Sequence, residues 1–393
     1  MSVAAPSLPD DDRLTPARLR ALVAVISMTA SVGTGLSLGL PLLSLVAEAR
    51  GVSSTMIGLN NAVAGLVILL IGPWVTPLAR RFGAVPLLIV AVIVASLSLP
   101  LFYLFEDFST WFGLRVIFHG ALTVMFVLTE FWINTLAPRA KRGLVMGIYA
   151  TILSIGFAAG PKILGLVGSQ GFLPFGIGMT ILFLAGVPIL FALGQSPDLE
   201  DEASRGTLGF ILAVPVATFG VLAFGAIESG GMAFLPLYGL RLGMPEAQAT
   251  ALVSMMAMGN VVLQIPLGLL ADRVNRVALL ALCAAIGLAG ALLMPLVSGS
   301  VLMLSIVLFV WGGFVAGLYT VGIVHLGSRF SGTDLAAANA AFVMMYACGM
   351  TIGLPGLGAA MDVWSPHGLT GSIALFCAAY LVLVAFTARR GRG

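Results

Sequence analysis

The chain has 393 residues, of which 60% are hydrophobic and 9% charged, with a formal net charge of +3 and a mean hydropathy of +1.10. A water-soluble globule of this length needs far more polar surface, so the composition excludes one and points to a lipid bilayer. The small basic excess gives no reason to invoke nucleic acid.

Residues 1–19 read as a cytosolic tail. Asp10, Asp11 and Asp12 precede its first base, and the apolar run that follows is longer than the core of a signal peptide, so no cleavage is expected. Twelve apolar runs then follow, at 20–46, 55–78, 84–105, 110–136, 143–168 and 171–194, then at 208–239, 246–270, 277–297, 301–327, 335–363 and 368–388. Each has at least the roughly 20 residues that a helix needs to cross about 30 Å of hydrocarbon. The expected fold is therefore all-α and integral to the membrane, with twelve transmembrane helices.

Two six-helix bundles are expected at 20–194 and 208–388, joined by a cytosolic linker at 195–207 and followed by a short tail at 389–393. The linker holds SPDLEDEASRG, the one markedly hydrophilic internal stretch. Connectors such as Ser298-Gly299-Ser300 leave no space for a soluble domain. The cysteines, Cys283, Cys348 and Cys377, stand singly within runs without metal-ligand spacing, so they read as small packing residues.

Lys and Arg set the orientation, because loops rich in them stay in the cytosol. With both termini inside, Arg80, Arg81, Arg139, Lys141, Arg142, Arg273, Arg276 and Arg329 are cytosolic, and Arg50 and Arg241 fall outside.

The halves are related. LARRFGAV (Leu78 to Val85) and LADRVNRV (Leu270 to Val277) are two copies of one charged loop, and Gly51 to Leu88 aligns without gaps on Gly243 to Leu280. This pattern resembles the major facilitator superfamily, whose loop between helices 2 and 3 reads G-x-L-A-D-R-x-G-R. Here it is met by Gly268, Leu270, Ala271, Asp272, Arg273 and Arg276, with Asn275 in place of Gly. A second family signature in the fifth helix is matched by Gly147, Gly156, Gly160 and Pro161, a pattern commonest in proton-driven exporters. Arg115 and Gly120 approximate a third, with one residue too many between them. TEFWIN (Thr129 to Asn134) followed by KRGLVMGIY resembles the YcaD-like branch.

Ionisable residues inside hydrocarbon are costly and are functional candidates by default. Glu228, in the seventh run, is the leading proton-coupling and substrate-binding candidate, and Ser229, Gly230 and Gly231 after it permit local bending. A carboxyl held there purely to join two helices is the bland alternative. In the fourth run Arg115 and His119 share a face, and Glu130 lies about 60° round from Arg115 at about 100° per residue. Arg115 would hold an anionic group of the substrate or pair with Glu228. His119 is a candidate proton carrier or a packing residue, and Glu130 a proton-coupling or gating carboxylate. Asn260 and Gln264, at i and i+4, are candidates for substrate contact or helix packing.

The paired loops suggest a gate. An anion near a helix start neutralises its unpaired N–H groups and partial positive charge. By analogy with the family, Asp272 would cap the fifth helix near Gly143 to Met146 and touch Arg139 or Arg142, with Arg273 and Arg276 beside it. Arg80 replaces the Asp in the first copy and would pair with Asp334 at the start of the eleventh helix. The alternative for all of these is an ordinary solvated loop charge.

The resemblance implies a monomeric secondary transporter of the bacterial inner membrane, needing no cofactor beyond a proton gradient and binding a small organic solute. Proton-coupled export by alternating access is the leading expectation. Proton-coupled uptake is the nearest alternative, and an integral membrane enzyme acting on lipid would need a clustered nucleophile that the sequence does not show. No GxxxxGK[ST] motif supports an ATP-driven pump.

Overall fold

The computed structural model describes residues 15–138, 142–191, 208–330 and 332–389. The first half contains α1 (Pro16–Ala49), α2 (Ser54–Phe82), α3 (Ala84–Leu104), α4 (Thr110–Leu136), α5 (Arg142–Val167) and α6 (Leu173–Ala185). The second contains a short α7 (Leu208–Ala213), α8 (Pro215–Arg241), α9 (Glu246–Ala271), α10 (Arg276–Val297), α11 (Val301–Gly327), α12 (Gly332–Val363) and α13 (Gly368–Arg389). Among the described residues, eleven helices are long and apolar enough to cross a membrane. The N-terminal tail to residue 14, the linker and the last four residues lie outside the described residues.

The remaining expected run, 171–194, is a shorter apolar helix. Its α-helix stops at Ala185, and a 3-10 turn at Val187–Phe191 follows, because Pro188 has no N–H to continue the ladder. Proline also divides the seventh run. Pro215 opens α8 and forces Val214 out of helical geometry, to φ −134° and ψ 69°, so α7 ends before it.

Sequence-local chemistry sets the other boundaries. Thr15, Ser53, Asn275 and Ser300 each accept a backbone N–H three residues on and so cap α1, α2, α10 and α11. Asn275 replaces the family's Gly, and capping α10 gives it a purpose. The repeat is visible in backbone detail. Gly51 and Gly243 follow the first long helix of each half with φ of +78° and +82°. The N–H of Val52 returns to Ala47 O at 3.1 Å, and that of Met244 to Gly239 O at 3.0 Å. Both are the helix-ending turn that favours glycine.

Within the first half α1 packs on α4, α5 and α6, and α3 bridges α4 and α6. Within the second α11 packs on α8, α9 and α10, and α8 also lies against α12. Between the halves α2 lies along α12, α5 along α9, and α1 against α8. Hydrophobic burial does not drive helices together inside lipid, so small residues and polar contacts must. At Gly58 an added Cβ would run into the Leu354 carbonyl, and at Gly358 into the Ser54 carbonyl. At Gly65 it would come within 2.6 Å of Ala347 O. Gly349 and Gly353 serve the same purpose between α12 and α8, while Gly356 faces open space.

Polar clamps join the halves at the end opposite the chain termini, here called the distal end. Asp362, at the close of α12, accepts the N–H groups of Ser54 and Thr55 at 2.9 and 2.8 Å and the Thr55 hydroxyl at 2.6 Å. It thereby satisfies the orphan donors at the start of α2. Arg241 pairs with Glu48 at 2.8 Å and donates to the Ser54 hydroxyl at 2.6 Å and to the Met361 carbonyl at 3.3 Å. Across the second seam Glu246, in the first turn of α9, accepts the Ser169 N–H at 2.6 Å, and Gly165 lies against Thr250.

Two outcomes follow from these seams. Gly58→Leu forces α2 from α12 and is expected to cost about 1–3 kcal/mol, read as a lower melting temperature in detergent, whereas Gly72→Ala, at an open position, leaves it unchanged or slightly higher. Asp362→Ala removes a cap worth about 1 kcal/mol and shifts the population towards an open distal end. Spin labels at Glu106→Cys and Gly299→Cys, in a background without the native cysteines, are expected to show a longer distance component in that variant. An unchanged distribution would show that the cap does not hold this end closed.

Candidate functional site

α8 runs unbroken through Glu228, and the glycines after it serve close approach more than bending. A Cβ at Gly230 would strike Leu357 of α12, and one at Gly231 would lie 2.7 Å from the Met256 sulfur of α9. The Glu228 side chain is half-buried, and its Oε2 accepts the hydroxyl of Tyr346 from α12 at 2.8 Å. Phe224 lies one turn before Glu228, with ring centroids 5.7 Å from Tyr319 and 5.9 Å from Tyr346. Tyr319 in turn stands edge-on to Phe342 at 5.3 Å.

Glu130 is the second carboxylate of this region, half-buried on α4 of the first half. Tyr149 of α5 and Tyr319 of α11 both lie within its electrostatic reach, and Tyr319 also feels Glu228. One phenol of the second half is therefore within electrostatic reach of carboxylates that belong to different halves. The arrangement has two acids able to carry protons, and three tyrosine hydroxyls able to donate to them or to a solute. Trp132 and Trp311, the other aromatics of interest, are fully buried. Trp311 is tied to the Gly287 carbonyl at 3.0 Å, which makes it part of the packing.

Arg115 is 1% exposed and does not meet Glu228. Its Nε and Nη2 donate to Oδ1 of Asn60 in α2 at 3.0 and 2.8 Å, and its guanidinium lies 5.7 Å from the Phe102 ring of α3. The site is thus enclosed by α2, α3 and α4 of one half. His119 is buried one turn along, edge-on to Phe118 at 5.1 Å, with no partner for Nδ1. Asn260 and Gln264 are half-buried on α9 and make no hydrogen bond to another described residue.

The glycines of the fifth-helix signature place α5 on α1. Gly156 meets the Ala30 backbone, Gly160 meets Ser37 and Leu38, and the Ser37 hydroxyl donates to the Gly156 carbonyl at 3.2 Å. Pro161 is buried beside them, while Gly147 is exposed with nothing near it.

At the end that carries the termini, Asp272 closes α9 and is exposed, with no hydrogen bond or ion pair to another described residue. Arg273 is exposed, and Arg276 turns back to the Ala271 carbonyl at 3.1 Å. Arg80 is exposed at the end of α2 and Asp334 half-buried in the first turn of α12, and neither is without a partner. Arg139 and Lys141 lie outside the described residues, as do Ser331 and the side chains of Arg142, Gly143 and Thr333. At the other end, Asp362 places a carboxylate at the start of α2.

Four participants were not legible as such: Tyr346, Asp362, Asn60 and Ser169. Asn60 and Asn61 do stand as two adjacent amides in an apolar run, and Asp362 is an isolated acid at a run's end. Those signals mark them as unusual, but only the fold supplies the partners.

The family model described as Major Facilitator Superfamily matches residues 25–258 and 219–392. The uncharacterized MFS-type transporter YfkF of Bacillus subtilis is 27% identical over 326 residues, covering 80% of each chain. Multidrug resistance protein 2 of the same organism is 23% identical over 300 residues, covering 71% of this chain and 74% of the relative. Among solved structures, a bacterial homologue of the human lysosomal transporter Spinster, in an inward-facing and occupied conformation, superposes with a TM-score of 0.77 at 15% identity. It covers 96% of this chain and 98% of that one. The nucleoside transporter NupG, in a single-site mutant form, gives 0.75 at 15% identity, covering 94% and 98%. The family and the relatives mark a transporter and not an enzyme. The chain belongs to the Major Facilitator Superfamily.

Proposed function

We propose that the chain is a proton-coupled secondary transporter that exports a small organic solute by alternating access across a bacterial inner membrane. In this reading twelve helices form two pseudo-symmetric six-helix bundles, residues 20–194 and 208–388, in a monomer whose termini are both cytosolic. The distal end is then the external face, and its clamps correspond to an inward-facing conformation. The lysines and arginines concentrated at the other end support that orientation.

The observation that carries the reading is the Glu228 site. A carboxyl within a membrane helix, held by the Tyr346 hydroxyl at 2.8 Å, can bind and release a proton as the surroundings open to one side or the other. Glu130 across the interface is a second acceptor, so proton occupancy on the two halves can be linked through Tyr319. The enclosure of Arg115 removes the reason to expect an anionic group on the solute at this cluster. Carboxylates and phenols favour a solute with a cationic or hydrogen-bond-donating group and an apolar body. Export is supported by the fifth-helix signature and by the likeness to Multidrug resistance protein 2. The TEFWIN and KRGLVMGIY runs support placement in the YcaD-like branch.

Proteoliposomes with an imposed pH gradient and a panel of amphipathic solutes test this. Solute-dependent proton flux in the direction of exchange is expected for the native protein, and a loss of tenfold or more for Glu228→Gln. Symport-direction flux would instead establish uptake, and undiminished coupling in Glu228→Gln would remove Glu228 from the mechanism. Tyr346→Phe deletes a hydrogen bond to an ionisable group, worth about 1.5–3 kcal/mol. It is expected to move the pH midpoint of transport while the protein remains folded, and an unmoved midpoint would reduce Tyr346 to packing.

A further inference from the structure

Where α10 begins and α11 ends, a cleft of about 270 Å³ is lined by Arg276, Val277, His325, Ser328 and Arg329 among others. Both helices are long and apolar enough to span a membrane and both terminate here, so the cleft lies at the depth of lipid headgroups. The seams between the halves run along α2 and α12, α5 and α9, and α1 and α8, whereas α10 packs on α11, α13 and α8. The cleft therefore sits on the flank of the second half.

Every titratable residue that lines it is a base. Arg276 and Arg329 both lie within electrostatic reach of His325, which is 5% exposed. Three basic side chains gathered round one cleft repel one another when charged, and an anion seated among them reverses the sign of that interaction. The donors are also placed for oxygen acceptors. Arg276 Nε is held by the Ala271 carbonyl at 3.1 Å, which anchors the guanidinium beside the cleft and leaves the amino groups of its fork for a phosphate. Asn275 caps the Ala278 N–H at 3.1 Å, so the N–H groups of Arg276 and Val277 carry the remaining partial positive charge of the α10 start. The Ser328 hydroxyl donates to the His325 carbonyl at 2.7 Å, and its oxygen is an acceptor for a headgroup hydroxyl.

We propose that this cleft binds the phosphodiester headgroup of an anionic phospholipid, with the acyl chains laid along α10. The exposed surface of that helix favours a lipid over a free phosphate. Ala278, Leu282, Ala285 and Leu292 are exposed at helical spacing, in one apolar stripe that starts beside Val277. Val274, at the mouth of the cleft, is 44% exposed. Basic clefts between membrane helices at the headgroup level are suited to lipids of net negative charge. The site is separate from the Glu228 cluster, and it holds whatever the direction of transport or the coupling ion.

Native mass spectrometry of the full chain, released from micelles holding equal amounts of phosphatidylglycerol and phosphatidylcholine, tests the site. Phosphatidylglycerol is expected to be retained in preference. Arg329→Gln, at an exposed position, is expected to weaken that retention roughly tenfold, the equivalent of one hydrogen bond to a charged group, and Arg276→Gln to act in the same way. Arg273→Gln removes the same charge from the same turn but outside the cleft, so it is expected to retain the lipid as the native chain does. A photoreactive benzophenone side chain in place of Val274 is expected to crosslink to phosphatidylglycerol, and reads the site even where Arg276→Gln does not fold. Equal retention of the two lipids, equal losses in Arg273→Gln and Arg329→Gln, or no lipid crosslink at position 274 would each overturn the proposal. So would displacement of the lipid by millimolar inorganic phosphate, which would make the ligand a free anion.

Discussion

The two halves are held by carboxylates placed at helix ends, in a medium where lipid gives helices no hydrophobic reason to associate. Asp362 reaches from the end of α12 to the unpaired N–H groups that open α2, 308 residues away in the chain. Glycine makes this reach possible. At Gly58, Gly65 and Gly358 the backbones of α2 and α12 come close enough that a side chain would not fit, which brings the carboxylate of one helix over the amides of the other. The second seam solves the same problem with the roles exchanged, since Glu246 opens α9 and accepts an N–H just past the end of α5.

This use of charge at the margins leaves little of it inside. Glu228 and Glu130 stand on different halves, and Tyr319 lies within electrostatic reach of both. Tyr346 donates to Glu228 from within the same half. Arg115 is different in kind: it is held by Asn60 inside one half, away from the seam. The buried charges thus divide into two carboxylates on different halves and a cation enclosed within one of them.

The duplicated loop gains a more exact meaning from the fold. Its ancestry is plain in the matching glycine turns at Gly51 and Gly243, and Asn275 departs from the family pattern because its side chain caps α10. Asp272 is exposed at the end of α9. At the distal end a different residue, Asp362, supplies a carboxylate to the start of α2.

Composition and order along the chain determined what depends on local chemistry. Apolar length specified the helices, glycine and capping residues their ends, repetition the kinship of the halves, and scarcity of charge singled out Glu228, Glu130 and Arg115. Proline still altered two of those helices, since a missing N–H interrupts a ladder whatever the hydropathy around it. The tertiary structure alone decided the partners: Tyr346 and not Arg115 for Glu228, Asn60 for Arg115, and the start of α2 for Asp362. Each pair joins residues 55 or more positions apart, so contact depends on how helices pack and rotate, and neither hydropathy nor local spacing carries that information.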